Sequence, residues 1–552
     1  MIERWIVDTE PSERYPIFTR GNVGEVFPDP VAPLTATWGI ADCAEPGWRD
    51  AFERFGAFDR DEFDPDNNEI IGIFGGYCFL NVSISRILGV RTPGLTAQSI
   101  DFQLWGEMPG VPPYAPQPTD ESPSHTERIQ ATLGWVLTTD AHPVLIEEQR
   151  QLDKLRDNRP DLTTLSDTEL LTRARQMLDE HLRRLFAQHL FTSYCATVPV
   201  GIIQAVCEAV GRPADMFRLL AGFGGVESAA PSYAMWELSR LADDSDDYKE
   251  GFARFLHEYG CRGPNEWELR SPTWGTDPAL ATVAIEQMRR TPDSEAPHLH
   301  REALAVERDR VAGEIAAMVE GDPETHGQFL AAMRAAAIFL PGRERSKTNA
   351  IKITHESRVC LTELGRRMVE RGSFDAPNDF GMLRQQELDD WLTAPDSFTS
   401  ELRQRVRDYN DLYTVEPPFV FEGVAPPISS WAKRSGRPVA VASDGDILQG
   451  LPGCPGVSRG RARVVLDSHD PTALEPGDVL VAPLTDPSWT PLFVPAAGVI
   501  VDVGAPLSHA IIVSRELGIP CVVSVTDATR RIPDGATVEV NGDAGTVTVI
   551  ST

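Results

Sequence analysis

Gly504-Ala505-Pro506-Leu507-Ser508-His509-Ala510-Ile511-Ile512-Val513-Ser514-Arg515-Glu516-Leu517-Gly518-Ile519-Pro520 is a Gly/Pro loop running straight into an apolar helix with one histidine at its opening. Ser508 stands at the N-cap position, and Gly518 with Pro520 closes the helix. His509 therefore falls in the first turn, where unpaired backbone N–H groups and the positive end of the helix dipole favour a phosphate dianion. An imidazole nitrogen is a nucleophile at neutral pH, so His509 can take a phosphoryl group and pass it on. A capped structural histidine fits the same local pattern, and the flanking sequence has to decide between the two.

On either side, the short β-rich runs Ala462–Leu466, Val479–Ala482, Gly498–Val501, Cys521–Val525, Thr537–Val540 and Thr546–Ile550 alternate with turns. They predict a compact α/β unit around the His509 helix. Four ordered pieces mark it: Pro455-Gly456-Val457-Ser458-Arg459-Gly460-Arg461-Ala462, Pro476-Gly477-Asp478-Val479-Leu480-Val481, Thr485-Asp486-Pro487-Ser488-Trp489-Thr490-Pro491-Leu492-Phe493, and the His509 segment. Together they resemble the swivelling phosphohistidine domain of the PEP-utilising enzymes, among them phosphoenolpyruvate synthase, pyruvate phosphate dikinase and rifampin phosphotransferase. The resemblance implies a β/β/α mobile domain over 451–552 with His509 as nucleophile and phosphoryl carrier. Ala505 departs from it, because the family usually has a second glycine there.

The N-terminal part reads differently. Tyr15 to Pro28, with Pro30 and Pro33, is too proline-rich for a long helix and predicts an extended lead-in. Gly75 to Ser83 reads as a short apolar strand or a buried turn into a helix. Residues 106–124 are Pro-rich and polar, a candidate mobile loop. From about 126 to 415 apolar residues recur at three- and four-residue spacing, notably through 166–190, 200–222, 246–259, 300–319 and 326–339. Residues 416–450, with Pro417-Pro418, Pro426-Pro427 and Gly436-Arg437-Pro438, read as a linker. The predicted class is α+β and multidomain: a large, mainly helical domain over 1–415, a swivel linker over 416–450, and the compact domain over 451–552.

The helical part resembles the substrate-binding domain of the rifampin phosphotransferase type. The resemblance rests on Tyr15–Pro28, Phe74-Gly75-Gly76-Tyr77, Tyr259-Gly260-Cys261-Arg262-Gly263-Pro264-Asn265-Glu266 with Pro272 and Trp274, and Arg343-Glu344-Arg345-Ser346-Lys347. It implies that Arg343 and Lys347 face the phosphoryl group. Transfer from His509 spreads negative charge over three oxygens and needs fixed cations; Arg343 and Lys347 lie four apart, on one face if that stretch is helical. Arg262 could add a bidentate contact, and Glu266 or Glu344 could orient the acceptor hydroxyl or take its proton. The bland alternatives are a solvated helix face for Arg343 and Lys347, and a structural ion pair for Arg262 and Glu266. His355-Glu356 lacks a second histidine at zincin spacing, so no metal site is expected. His257 on an amphipathic helix reads as packing.

A net charge of −31 argues against nucleic acid as a partner. Eight cysteines without a CxxC pair read as reduced, buried thiols. No signal peptide or membrane-spanning apolar run is evident, and a cytoplasmic location with no membrane contact is expected. Neither an ATP-grasp domain nor a phosphoenolpyruvate-binding barrel has room here, and no P-loop is present. The expected system is split, similar to phenylphosphate synthase. ATP and Mg²⁺ act on a separate ATP-grasp protein that phosphorylates His509, and a small hydroxylated acceptor receives the phosphate. Trp38, Trp48, Phe74, Tyr77, Phe79 and Trp105 suggest an apolar or aromatic acceptor, although such residues equally make core. Two alternatives stand beside this: a non-catalytic binding or regulatory relative, and a ligase or dehydratase acting through a phosphorylated intermediate.

Overall fold

The computed structural model describes residues 2–105, 110–224, 227, 230–293, 296–434, 439–466, 474–486, 489–504 and 508–552. Residues 106–109 of the Pro-rich loop, 435–438 of the linker, Pro487, Ser488 and Ala505 lie outside the described residues.

A small antiparallel sheet anchors the N-terminal part, in the order Ile71–Phe74, Tyr77–Asn81, Ile17–Thr19, Val420–Glu422. Gly75 and Gly76, at φ 55° and 80°, form the two-residue turn that pairs Phe74 with Tyr77. Positive φ at both central positions is what a type I′ hairpin requires. A Cβ on Gly75 would also stand 2.1 Å from the Trp431 ring. The strand Tyr77–Asn81 leads directly into the helix Val82–Arg91, capped by the Asn81 side-chain Oδ1, which accepts from the Ile84 N–H at 3.1 Å. Gly75 to Ser83 is thus both a strand and an entry into a helix.

Two long helices, Arg183–Ala209 and Pro323–Glu370, pack along one another as the spine of this part. Periodicity predicts a helix over 326–339, yet the observed one continues to Glu370. The reason lies in buried polar side chains that mask an apolar stripe. Lys352 Nζ sits 2.9 Å from Asp153 and 3.2 Å from Glu258, and the enclosed Glu356 accepts from Arg159 and Arg173, each at 3.0 Å. Buried charges of this kind persist only when paired. A second correction concerns apolar length. The helical run Asp167–Ala209 is long and apolar enough to cross a membrane, but 56% of its most apolar window is buried within the fold.

The C-terminal part is an eight-stranded mixed sheet, in the order Ile447–Gln449, Thr546–Ser551, Thr537–Asn541, Val457–Val464, Val479–Ala482, Gly498–Val501, Cys521–Val523, Leu451–Cys454. Its middle strands, Val457–Val464 through Cys521–Val523, run parallel. The helix His509–Leu517 is the crossover between the last two of them. Parallel strands buried on both faces read as continuous apolar runs, as Val479–Ala482 and Gly498–Val501 do.

The stretch between the two parts is mostly not free. Val415–Glu416 pairs with Ala432–Lys433, Val420–Glu422 is the edge strand beside Ile17–Thr19, and Trp431 lies in the N-terminal core. At the other end, Ile447–Gln449 joins the C-terminal sheet and the Ala442 N–H donates to the Arg531 carbonyl at 2.8 Å. Strand pairing thus claims both ends of the stretch 416–450 that the sequence reads as a linker.

The C-terminal part is docked against the helices Ala230–Ser239 and Ala279–Arg289. Met235, Trp236, Ile285 and Met288 share one apolar core with Leu492, Phe493 and Ile511. Arg218 pairs with Asp543 at 3.0 Å, and the Arg515 guanidinium lies 5.0 Å from the Phe217 ring centroid.

Candidate active site at the domain interface

His509 reaches its place through the parallel strands. Gly498–Val501 and Val479–Ala482 are neighbours, and the loops leaving their carboxyl ends carry His509 and Thr485. Open α/β sheets gather ligand-handling residues at those ends. Ser508 holds the N-cap geometry, φ −67° and ψ 157°, but its side chain makes no capping bond, so the cap is one of backbone shape only. Gly518, at φ 69°, ends the helix in the left-handed conformation.

The imidazole is held from both sides. Thr485 Oγ1 lies 3.1 Å from Nδ1, Thr490 Oγ1 lies 3.2 Å from Nε2, and the Phe493 ring meets it edge-on at 5.9 Å. A hydroxyl donates or accepts, so this pair accommodates either tautomer. Burial, together with the charges of Lys347 and Arg262, holds His509 well below the usual histidine range. It is therefore neutral, with a free lone pair, throughout the physiological pH range. Thr485 and Thr490 stand inside a quoted motif, yet sequence reasoning assigned them nothing; polar residues flanking a carrier histidine on an adjacent strand end are the signal that was there.

Opposite His509, the long helix presents Arg343 and Lys347 one turn apart. Lys347 Nζ lies 3.0 Å from Glu266 Oε1, and Arg262 Nη1 donates to both oxygens of the same carboxylate at 3.0 and 3.1 Å. Arg262 Nη2 donates to Thr348 Oγ1 at 2.6 Å. Burial pushes the Glu266 carboxyl up, but Arg262 and Lys347 outweigh it and leave the group below its usual range. Glu266 thus holds two cations in place and is a poor proton acceptor. Arg343 donates to Glu344 at 2.9 Å. Arg262 and Glu266 do form the ion pair weighed from the sequence, and Lys347 extends it to the site. Asp486, next to Thr485, accepts from the Asn265 N–H at 3.2 Å, tying the loop Gly260–Glu266 to the loop that supports His509.

A single cavity of about 700 Å³ connects these groups to a largely apolar chamber. His509, Thr485, Asp486, Lys347, Arg343 and Glu266 line one end; Trp48, Phe52, Phe55, Leu133, Leu137 and Tyr194 are among those lining the other. Of the aromatics the sequence suggested, Trp48 lines this chamber. Trp38, Phe74, Tyr77 and Phe79 are sealed in the core, packed around the hairpin and its neighbours, and the side chain of Trp105 lies outside the described part. Trp267 and His189 line the cavity and carried no sequence signal.

The remaining candidates are structural. His355 is buried with Nδ1 3.3 Å from Thr273 Oγ1, and His257 pairs with Asp157 at 3.0 Å near the surface. All eight cysteines are buried thiols. Among the described residues one cluster has metal-ligand spacing, Asp59, Glu62 and His125. Its carboxylates are already bound to Arg128 at 2.7 Å and to Arg91 at 2.7 Å, which fits an ion-pair network and not a cation site.

Comparison with known proteins agrees with this geometry. Residues 474–545 match the PEP-utilising enzyme mobile domain, and residues 186–344 match the rifampicin phosphotransferase fourth domain. In these two stretches the chain is similar to PEP-utilising enzymes of the rifampicin phosphotransferase type. Individual relatives align over more of this chain. An uncharacterised protein of Mycobacterium tuberculosis is 31% identical over 352 residues, 64% of this chain and 36% of its own length. The prodigiosin synthesizing transferase PigC of Serratia marcescens is 33% identical over 310 residues, 55% of this chain and 33% of its own. A rifampicin phosphotransferase of Streptomyces sviceus is 29% identical over 310 residues, 55% and 34% respectively. The chain spans about a third of the length of these relatives.

Proposed function

We propose that this chain is the carrier and acceptor-binding part of a phosphotransferase. His509 takes a phosphoryl group from a separate ATP-grasp protein that uses ATP and Mg²⁺, then delivers it to a hydroxyl of a small, largely apolar acceptor in the adjoining cavity. One observation carries the reading: a neutral, doubly held imidazole opens into the same cavity as Arg343 and Lys347, with an apolar chamber behind them. In the transfer step the acceptor oxygen forms its bond to phosphorus as the P–N bond breaks, and the electron pair returns to the His509 ring. Arg343 and Lys347, with Arg262 positioning Lys347 through Glu266, hold the charge that develops on the equatorial oxygens.

The test is mass spectrometry under non-acidic handling after incubation with MgATP, with and without a candidate ATP-grasp partner. Label on His509 that depends on the partner supports the split system. A folded chain left unlabelled by an active partner returns the weight to a binding module. The likeness to a transferase named for prodigiosin synthesis favours a second reading, in which the phosphorylated acceptor is consumed in a later bond-forming step. Recovery of a phosphorylated product distinguishes the two.

A further inference from the structure

The transfer step leaves a proton on the acceptor hydroxyl that must go somewhere, and the two carboxylates nearest the cations are poorly suited to take it. Glu266 is committed to Arg262 and Lys347, and Glu344 accepts from Arg343. A different group on the cavity wall has the chemistry of a base. His189, on the helix Arg183–Ala209, lines the same cavity as His509, Arg343 and Lys347.

Its protonation pattern follows from its neighbours. The Ser346 hydroxyl donates its one proton to the Arg343 carbonyl at 2.9 Å. At 3.2 Å from His189 Nδ1 the same oxygen can then only accept, so Nδ1 carries the hydrogen. A neutral ring with its hydrogen on Nδ1 has its lone pair on Nε2. The Trp267 ring, stacked on the imidazole at 6.2 Å and 29°, and Phe186, edge-on at 6.4 Å, set its plane. Burial, Arg343 and Lys347 keep it unprotonated in the resting site. A phosphoryl dianion bridging Arg343 and Lys347 would cancel much of that repulsion, so the base strengthens when the group to be transferred is in place.

We propose that His189 is the general base that takes the proton of the acceptor hydroxyl during attack on phospho-His509. The inference rests on the phosphotransfer reading and adds a catalytic residue to it. The step balances: the hydroxyl O–H breaks and its proton moves to His189 Nε2, an O–P bond forms, the P–N bond breaks, and its electron pair returns to His509. His509 departs as neutral imidazole because its other ring nitrogen is protonated in the phosphorylated form.

The experiment bypasses both the partner and the natural acceptor. The full chain is phosphorylated with potassium phosphoramidate, label at His509 is followed site by site by mass spectrometry, and phenol is the probe acceptor. Rates of phosphoryl loss and of phenyl phosphate formation are then measured across pH for wild type, His189→Asn, His189→Gln and His189→Ala. Asparagine places an amide N–H where Nδ1–H stood and keeps the bond toward Ser346, but supplies no base. The expected result is a wild-type rate of His509 labelling in His189→Asn with transfer to phenol slowed about 10²–10⁴-fold, the range of one general base. Added imidazole should restore His189→Ala. Transfer by a folded His189→Asn at the wild-type rate and pH profile overturns the base and leaves the phosphotransfer reading standing. Wild-type chain that accepts no label at His509, or passes none to phenol or water, overturns both.

Discussion

The two ends of the cavity are built on opposite principles. At the His509 end the cations and the imidazole are held by partners: Lys347 and Arg262 share Glu266, Arg343 meets Glu344, and two threonines flank the imidazole. At the far end Trp48, Phe52, Phe55 and Leu133 offer shape and apolar area, with Tyr194 stacked on Phe52 and accepting from the Trp48 indole N–H at 2.7 Å. The charged end cannot tolerate the loss of one partner without leaving a buried charge uncompensated. The apolar end can be reshaped one side chain at a time. On the proposed reading, chemistry would be tied to the paired charges, and the choice of acceptor to the apolar surface.

Five substitutions test that division, beginning with the most severe. His509→Ala should abolish phosphoryl labelling with the thermal unfolding midpoint little changed, because a half-buried first-turn side chain contributes modestly to packing. Any transfer retained by this variant, read by mass spectrometry, would falsify the carrier role. Lys347→Met or Arg343→Met should slow the step from histidine to acceptor by about 10²–10³-fold, the cost of one preorganised charge stabiliser, with His509 labelling within a few-fold of wild type. Equal losses in both steps in single-turnover experiments would break the assignment of these cations to the transfer. Trp48→Leu at the apolar end should weaken acceptor binding by about tenfold and leave labelling untouched; a loss of labelling would mean the two ends are not separable. Thr490→Val should cost a few-fold in labelling rate, since Thr485 still holds the other ring nitrogen.

Lys347→Met also carries a titration test. The cation disfavours the imidazolium, so its removal should raise the His509 pKa toward the usual histidine range, visible by NMR. In wild type the neutral form persists on acidification well below the ordinary titration of histidine. In the variant labelling should begin to fall at higher pH. An unchanged pKa would show that burial alone sets it.

The C-terminal part was legible because its rules are local. A loop of glycine and proline, an N-cap position, one histidine and a glycine C-cap specify a first-turn histidine within seventeen residues. The acceptor half depends on partners far apart in sequence. Glu266 acquires meaning only when Lys347 meets it, and His189 only when Ser346 and Trp267 do. Phe74-Gly75-Gly76-Tyr77 was conspicuous as a motif, yet its glycines make a hairpin and its aromatics fill a core. The segment after Leu340 in the long helix escaped because many of its buried residues are polar or charged, and hydrophobic periodicity counts such positions as solvent.

The four-residue helix Thr490–Phe493 belongs to two machines at once. One side of it touches the His509 ring through Thr490 and Phe493; the other seats in the apolar core made with Ala230–Ser239 and Ala279–Arg289. The part that grips the neighbouring domain is therefore the part that aims the imidazole. Such an arrangement works as an interlock, as in a circuit that closes only when its housing is seated. On the proposed carrier role, a C-terminal part separated from those helices would lose the support behind its aiming helix, and idle discharge to water and productive delivery would belong to two different geometries.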